Sequence, residues 1–323
     1  MLLRYFTQNN RGLLFFYPII IGLLSTALIY FLPSITHSSP LYASGYIFET
    51  QESSIWIFIL VTVITATIFA GVVNKAFNSS ELYFQPSFLV GFLSSIVFTI
   101  SCIKIHSFSW SVAQLFLAFA LFFSLQIQNQ KRIYPSLFLA QISVGISICI
   151  FPQNIGFGLA LTTTLLMNRS FSIKELLFSL FTIIIPLLYW LSYSFITDQL
   201  SDWFFWSKTP TTFPVNSLFS SIVFWVCSVC LLSSLVGIFK KENRQTNKTQ
   251  QAKNTLLIFL FSSILSSLIC WITHEPFTLY NFSLPFILIV GYYWTHYRVS
   301  LMAPFLFYLW IITHFLFAFE VIH

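Results

Sequence analysis

The sequence predicts an all-α protein, a polytopic integral membrane helical bundle, and three observations carry that prediction. Of the 323 residues, 57% are hydrophobic and only 7% are charged, against about 25% in an ordinary soluble domain. Aromatic residues make up 20% of the chain, 40 of them Phe. Apolar runs recur along the whole length with polar clusters between them, several close to the ~20 residues that cross a ~30 Å hydrocarbon core. A soluble enzyme, a nucleic-acid-binding module and a secreted disulfide scaffold are thereby excluded as descriptions of the whole chain. The expected partners are membrane lipids, with no nucleic acid.

Eleven runs are expected to span, at 13–32, 55–73, 87–103, 108–125, 133–151, 155–167, 176–196, 218–239, 255–273, 277–294 and 301–319. The first is too long for a signal-peptide core and has no small-x-small site before Pro33, so it stays in the protein. The fifth and sixth are separated by the break Pro152-Gln153-Asn154, and the sixth, at about 20 Å as a helix, is short for a span. These two form either two spans or a re-entrant hairpin, giving eleven spans or nine. The ninth follows 240–255, KKENRQTNKTQQAKNT, which reads as a polar, flexible cytoplasmic linker inside a single transmembrane domain of residues 1–323.

Basic residues orient the set. With the N-terminus in the cytoplasm, Arg4, Arg11, Lys75, Lys131, Arg132, Arg169, Lys174, Lys240, Lys241, Arg244, Lys248, Lys253 and Arg298 fall inside, 13 of the 15, leaving Lys104 and Lys208 outside. That asymmetry predicts N-terminus in and, with an odd number of spans, C-terminus out.

The acids divide the other way. Glu81, Glu175 and Glu242 fall inside, whereas Glu49, Glu52, Asp198, Asp202, Glu275 and Glu320 fall outside or at the outer membrane edge. Two long outer loops, 33–54 and 197–217, carry most of them, and loops of that length are often functional. In the first, Glu49 and Glu52 at i, i+3 share one face if the stretch is helical, which suits a divalent metal or general-base work, or else a solvated helix entry. In the second, Asp198 and Asp202 adjoin Trp203, Phe204, Phe205 and Trp206, an interfacial aromatic belt or a stacking platform for a sugar or lipid-linked ligand. His274 and Glu275, at a tight outer turn, are candidates for the same outward site.

Within the spans, His314 is the clearest ionisable residue, with Trp310 one turn before it; it is a candidate site residue or a histidine bonded to a neighbouring carbonyl. Gln141, Thr162-Thr163-Thr164 and Asn281 read as interhelical hydrogen-bond contacts. No Asp, Glu or Arg stands at mid-bilayer, which counts against a proton- or ion-coupled transporter. Cys102, Cys149, Cys227, Cys230 and Cys270 all lie in apolar runs and read as buried thiols. The chain has no GxGxxG, Walker A or HExxH motif.

Residues 131–198 carry a proline-broken hairpin, the basic turn Asn168-Arg169-Ser170-Phe171-Ser172-Ile173-Lys174-Glu175, and a span with Pro186 followed by aromatics. In these features, and in the short basic, aromatic prelude before the first span, the chain resembles an uncharacterised family of polytopic membrane proteins of the Bacteroidota. That resemblance implies no catalytic residues. In architecture, with a cytoplasmic N-terminus, an acidic first outer loop and many spans, the chain is similar to the polyprenyl-phosphate-sugar-dependent glycosyltransferases of the GT-C fold. The likeness implies that Glu49 and Glu52 act as base or metal ligand, although the loop lacks that fold's usual Asp-containing signature. Three functions are expected in that order: an outward-facing transferase, a non-enzymatic accessory subunit of an envelope or export complex, and a lipid or small-molecule transporter lined by His314, Asn281 and Gln141.

Overall fold

A computed structural model of the chain describes residues 16–31, 55–80, 82, 86–105, 108–127, 134–168, 172–196, 218–239, 247–272, 283–296 and 302–319. Apolar segments of this length satisfy their backbone groups most fully as helices, and the described residues are accordingly all-helical, without a strand. The helices are α1 (Phe16–Phe31), α2 (Ile55–Ser79), α3 (Leu89–Ile105), α4 (Phe108–Ile127), α5 (Tyr134–Ile150), α6 (Ile155–Asn168), α7 (Ile173–Ile196), α8 (Leu218–Phe239), α9 (Asn247–Ile272), α10 (Ser283–His296) and α11 (Met302–Phe319). Each overlies one of the apolar runs. Pro135, Pro285 and Pro304 sit in the first turns of α5, α10 and α11, where the missing N–H has no helical partner to lose.

Three of the helices contain stretches long and apolar enough to cross a membrane, Phe58–Ser79, Trp110–Ile127 and Ile173–Ile196. Shorter apolar stretches of 10–17 residues occur in six others among the described residues.

Contacts between helix ends reveal an alternating, up-and-down arrangement. Asn78, near the end of α2, pairs with the backbone of Ser87, just before α3. Lys75, one turn earlier, lies over the ring of Phe122 near the end of α4, 5.2 Å from its centroid. Ile127 at the end of α4 clusters with Leu137 of α5 and Phe178 of α7, both close to their helix starts. Gly291, late in α10, abuts Val90 at the start of α3. These contacts gather the ends of the even-numbered helices α2, α4 and α10 with the starts of the odd-numbered α3, α5 and α7. Lys253, early in α9, joins the same end by lying 4.8 Å over the ring of Tyr292 in α10. This end therefore holds Lys75, Lys174, Lys248 and Lys253.

The clamp that opens α3 shows how neutral polar side chains organise the bundle. Asn78 Nδ2 donates to the Ser87 carbonyl at 3.1 Å and its Oδ1 accepts from the Ser87 N–H at 2.9 Å, copying the pairing of a backbone strand. Asn74 Oδ1 accepts from the Gly91 N–H at 3.2 Å, and the Tyr17 hydroxyl of α1 donates to the Phe88 carbonyl at 2.8 Å. Polar groups at the start of a buried helix are thus satisfied by neighbouring helices rather than by water. Beyond the clamp, Phe69 stacks on Phe98 with centroids 4.3 Å apart, and Phe98 meets Trp110 at 5.7 Å, tying α2, α3 and α4 into one apolar core.

Two sequence expectations change here. The polar linker expected over 240–255 is helical from Asn247 onward, and Thr249, Ala252, Lys253 and Thr255 are buried. Lys253 Nζ lies 3.5 Å from the Ile238 carbonyl at the end of α8, where the unpaired carbonyls of a helix terminus favour a cation. Loss of this cap and of the Tyr292 contact in Lys253→Met is expected to cost about 2 kcal/mol, read as a lowered thermal midpoint of the purified protein. The second change concerns Thr162, Thr163 and Thr164, whose hydroxyls all donate to carbonyls of their own helix, at Gly158, Leu159 and Ala160, and not to another helix.

Helix α7 is the outlier in burial. Its buried side chains are only Ser179, Thr182 and Ser194, while Ile173, Phe181, Leu188, Tyr189, Phe195 and Ile196 stand exposed. It begins with a capping box, in which Ser172 Oγ accepts from the Glu175 N–H and Glu175 Oε2 accepts from the Ser172 N–H, both at 3.3 Å. It is held to α5 by the expected interhelical bond from Gln141 Nε2 to Ser179 Oγ and by close approach at Gly145. A Cβ on Gly145 would stand 2.8 Å from the Ile183 carbonyl and 2.9 Å from Pro186.

Candidate functional site: a buried polar seam opposite the basic end

The break between α5 and α6 builds a polar seam in the bundle interior. Phe151 is extended (φ −138°, ψ 91°), and Pro152–Asn154 follow as one 3-10 turn that closes when the Ile155 N–H bonds the Pro152 carbonyl. The chain thus reverses in four residues, and α5 and α6 go to different partners, α5 to α4 and α7, α6 to α9.

Asn154 holds the break in place. Its Nδ2 donates to Ser147 Oγ at 2.8 Å, and Ser147 Oγ donates to the Ala113 carbonyl of α4 at 2.9 Å. This chain of bonds ties the turn to α5 and α5 to α4. Two residues on, Gly156 lets α9 approach: a Cβ there would stand 2.7 Å from Ser266 Oγ and 3.0 Å from the Ser262 carbonyl. α9 presents a row of buried serines, Ser262, Ser263, Ser266 and Ser267, as polar and small residues do where membrane helices pack closely. Ser263 and Ser267 donate back to carbonyls of their own helix, at Leu260 and Ser263.

Several polar atoms in this region have no bond. Asn154 Oδ1 and Ser266 Oγ are both buried and unpaired, as are both amide atoms of Gln114, the residue after Ala113. Asn154 is 1% exposed and Gln114, Ser147 and Ser266 are 0% exposed, so bulk water cannot satisfy them. The seam lies early in α4, late in α5, at the start of α6 and in the last two turns of α9, at the end of the bundle opposite Lys75, Lys174, Lys248 and Lys253.

The residues singled out from the sequence fare differently. Glu49, Glu52, Asp198, Asp202, Trp203, Trp206, His274, Glu275 and Asn281 lie outside the described residues. His314 is described: it is buried on α11, its Nδ1 bonds the Trp310 carbonyl one turn back at 3.0 Å, and its ring lies against Trp310 with centroids 4.1 Å apart. His296 repeats this arrangement on Tyr292, at 3.1 Å and 4.1 Å. Both histidines thus take up the aromatic residue four positions earlier. His314, on α11, and Gln141, on α5, belong to different helix pairs, α11 with α8 and α5 with α4 and α7, and each already bonds within its own pair or helix.

Of the cysteines, Cys102, Cys149 and Cys230 are buried and Cys227 is half-buried; all four are free thiols. Cys102 Sγ contacts Ser111 Oγ at 3.1 Å, joining α3 to α4. Among the described residues no group of three or more His, Cys, Asp or Glu could hold a metal ion.

Sequence reasoning missed Asn154, Ser147, Ser266 and Gln114. The signals were present, in the Pro-Gln-Asn break and in the doubled serines Ser262-Ser263 and Ser266-Ser267 at helical spacing. Compared with protein-family models, curated proteins and solved structures, the chain matches none.

Proposed function

We propose that the chain is a multi-pass protein of the bacterial inner membrane, with eleven membrane-embedded helices, N-terminus in the cytoplasm and C-terminus outside, and that it is a GT-C-like transferase working at its outward face. One observation carries the reading. Four of the five lysines in the described helices, Lys75, Lys174, Lys248 and Lys253, collect at one end of the alternating bundle, with Lys104 near the end of α3 at the other, and among the described residues the only carboxylate is Glu175, in the capping box of α7. The other carboxylates lie outside the described residues, and the sequence reading expects those of 33–54 and 197–217 on outer loops. A bundle whose described helices carry no interior carboxylate favours chemistry at its end over an ion path through its middle.

In this role the donor is a polyprenyl-phosphate-linked sugar, held with its lipid in the bilayer and its sugar outside. Glu49 or Glu52 takes the proton of the acceptor hydroxyl or holds a divalent metal; the acceptor oxygen bonds the sugar C1 as the bond from C1 to the phosphate oxygen breaks, releasing polyprenyl phosphate. Asp198, Asp202, His274 and Glu275 position the polar part of the donor, and Trp203 and Trp206 stack on its sugar.

Mass spectrometry of lipid-linked sugars and envelope glycoproteins in a deletion strain tests this reading. Wild-type protein is expected to restore one missing glycan step and the Glu49→Gln/Glu52→Gln double variant to fail, with loss of at least about 100-fold in product, the scale of a general base. An unchanged glycan profile on deletion contradicts it. A second reading, an accessory subunit of an envelope assembly, draws on the exposed apolar face of α7. It is distinguished by co-purification of one defined membrane protein together with tolerance of every outer carboxylate substitution.

A further inference from the structure

We propose that α7 is hinged at Pro186: its inner half is fixed to α5, and its outer half is an arm that swings against the bundle. The inference does not rest on the transferase reading and starts from the backbone. Pro186 stands inside the helix, where it has no N–H for the Thr182 carbonyl and its ring crowds that carbonyl. Thr182 itself spends its hydroxyl on the Phe178 carbonyl at 2.7 Å, a bond that favours bending. Two bend-promoting features thus fall within about one turn, and changes of direction in long helices concentrate at such positions.

The packing divides α7 at the same point. Below Pro186 its contacts climb α5 in step with the chain. Phe178 meets Tyr134 edge-on with centroids 5.4 Å apart and clusters with Leu137, Ser179 bonds Gln141, and Ile183 and Pro186 face Gly145. The inner half is therefore held by interlocked rings and a buried hydrogen bond. At Pro186 the contact changes character. A Cβ on Gly145 would lie 2.8 Å from the Ile183 carbonyl and 2.9 Å from the proline ring, so the ring rests on glycine backbone with no side chain at 145 to interlock. Side-chain ridges set into grooves fix a crossing angle, whereas a ring on bare backbone fixes a point of closest approach and lets the angle about it change.

Above Pro186, α5 runs out. Gly145 is five residues from the end of α5 at Ile150 and Pro186 is ten from the end of α7 at Ile196, so α7 continues about 7 Å past its partner. In this half Leu188, Tyr189, Tyr193, Phe195 and Ile196 are exposed, and Ser194 is buried. A helix anchored on one side of a proline and overhanging on the other has the parts of a hinge. A swing of the arm moves the point from which 197–217 departs, the segment that carries Asp198 and Asp202.

Distances between pairs of spin labels, measured by double electron–electron resonance on the full-length protein in lipid nanodiscs, test the hinge. In a background with all five cysteines replaced by alanine, one label is fixed at Leu60→Cys on α2. The second is placed at Leu177→Cys, below the proline, or at Tyr193→Cys, above it; all three positions are exposed. The distance distribution to 193 is expected to be at least about twice as wide as that to 177, and to narrow to the width at 177 in Pro186→Ala, which restores the missing N–H. Equal widths at 177 and 193 in the wild type overturn the proposal, and that comparison stands whether or not the variant folds. A wide distribution at 193 that persists in Pro186→Ala, with helical circular dichroism unchanged, is fraying of the helix end and overturns it as well.

Discussion

Replacing Gly91 with leucine is expected to unmake the junction of α1, α2 and α3. A Cβ at this position would lie 2.3 Å from the Tyr17 hydroxyl and 2.6 Å from its ring carbon Cζ, far inside van der Waals contact. Tyr17 is 1% exposed, so the ring has no open space into which to turn. Any leucine at 91 therefore displaces Tyr17 and breaks its 2.8 Å bond to the Phe88 carbonyl, which keeps the Phe92 N–H at 3.1 Å while the buried Tyr17 hydroxyl loses its acceptor. The Asn74 contact to the Gly91 N–H is strained by the same movement. Overpacking of about 1–3 kcal/mol adds to a lost buried bond of about 1–3 kcal/mol, and a total of about 4 kcal/mol is expected. Tyr17→Phe removes the bond without the clash and is expected to cost about 1 kcal/mol. Thermal unfolding of the three proteins in detergent checks the order: wild type above Tyr17→Phe, and Tyr17→Phe well above Gly91→Leu.

The second large effect is expected at Gly156. Here the clash is with α9, at Ser266 Oγ and with the Ser262 carbonyl, and the second of these is backbone that cannot rotate away. α6 is only 14 residues long and packs chiefly on α9, so a leucine forces the pair apart along most of its contact. Phe157 and Phe259, whose centroids are 5.8 Å apart, separate with it. A loss of about 3 kcal/mol or more is expected. Gly156→Ala is the graded control, since the small Ser266 side chain can shift; most of the stability is expected to be retained. A Gly156→Leu protein as stable as the wild type would contradict the close α6–α9 contact.

Much of the fold was legible because membrane helices are long and apolar throughout. Each described helix overlies an expected run, and the Gln141 bond between helices was readable as a polar side chain in an apolar segment. The outcome at Thr162, Thr163 and Thr164 was not readable, because a threonine hydroxyl in a helix can bond either its own helix or a neighbour, and only packing decides. Lys253 misled for a related reason. A lysine in a polar run resembles loop, yet here its stem is buried against Tyr292 and its ammonium group serves the end of α8. The polar seam escaped notice because its members are neutral and far apart in sequence: Asn154 bonds a serine seven residues away, and that serine bonds a carbonyl 34 residues away. Charged candidates were easy to pick from the sequence and lie mostly outside the described residues, whereas the neutral residues that organise the interior show themselves only in three dimensions.

The orientation of the bundle is the point on which the outward-site reading stands, and single-cysteine accessibility in intact cells measures it most directly. In a background with Cys102, Cys149, Cys227, Cys230 and Cys270 replaced by alanine, single cysteines are placed at Ser44, Ser201 and Ser207, and at Ser170 and Thr246. A membrane-impermeant maleimide is expected to label the first three from outside and to reach the last two only after the cells are opened. Labelling of position 170 or 246 in intact cells, or protection of 44, 201 and 207 until lysis, would put the acidic loops on the cytoplasmic side and contradict an outward-facing site.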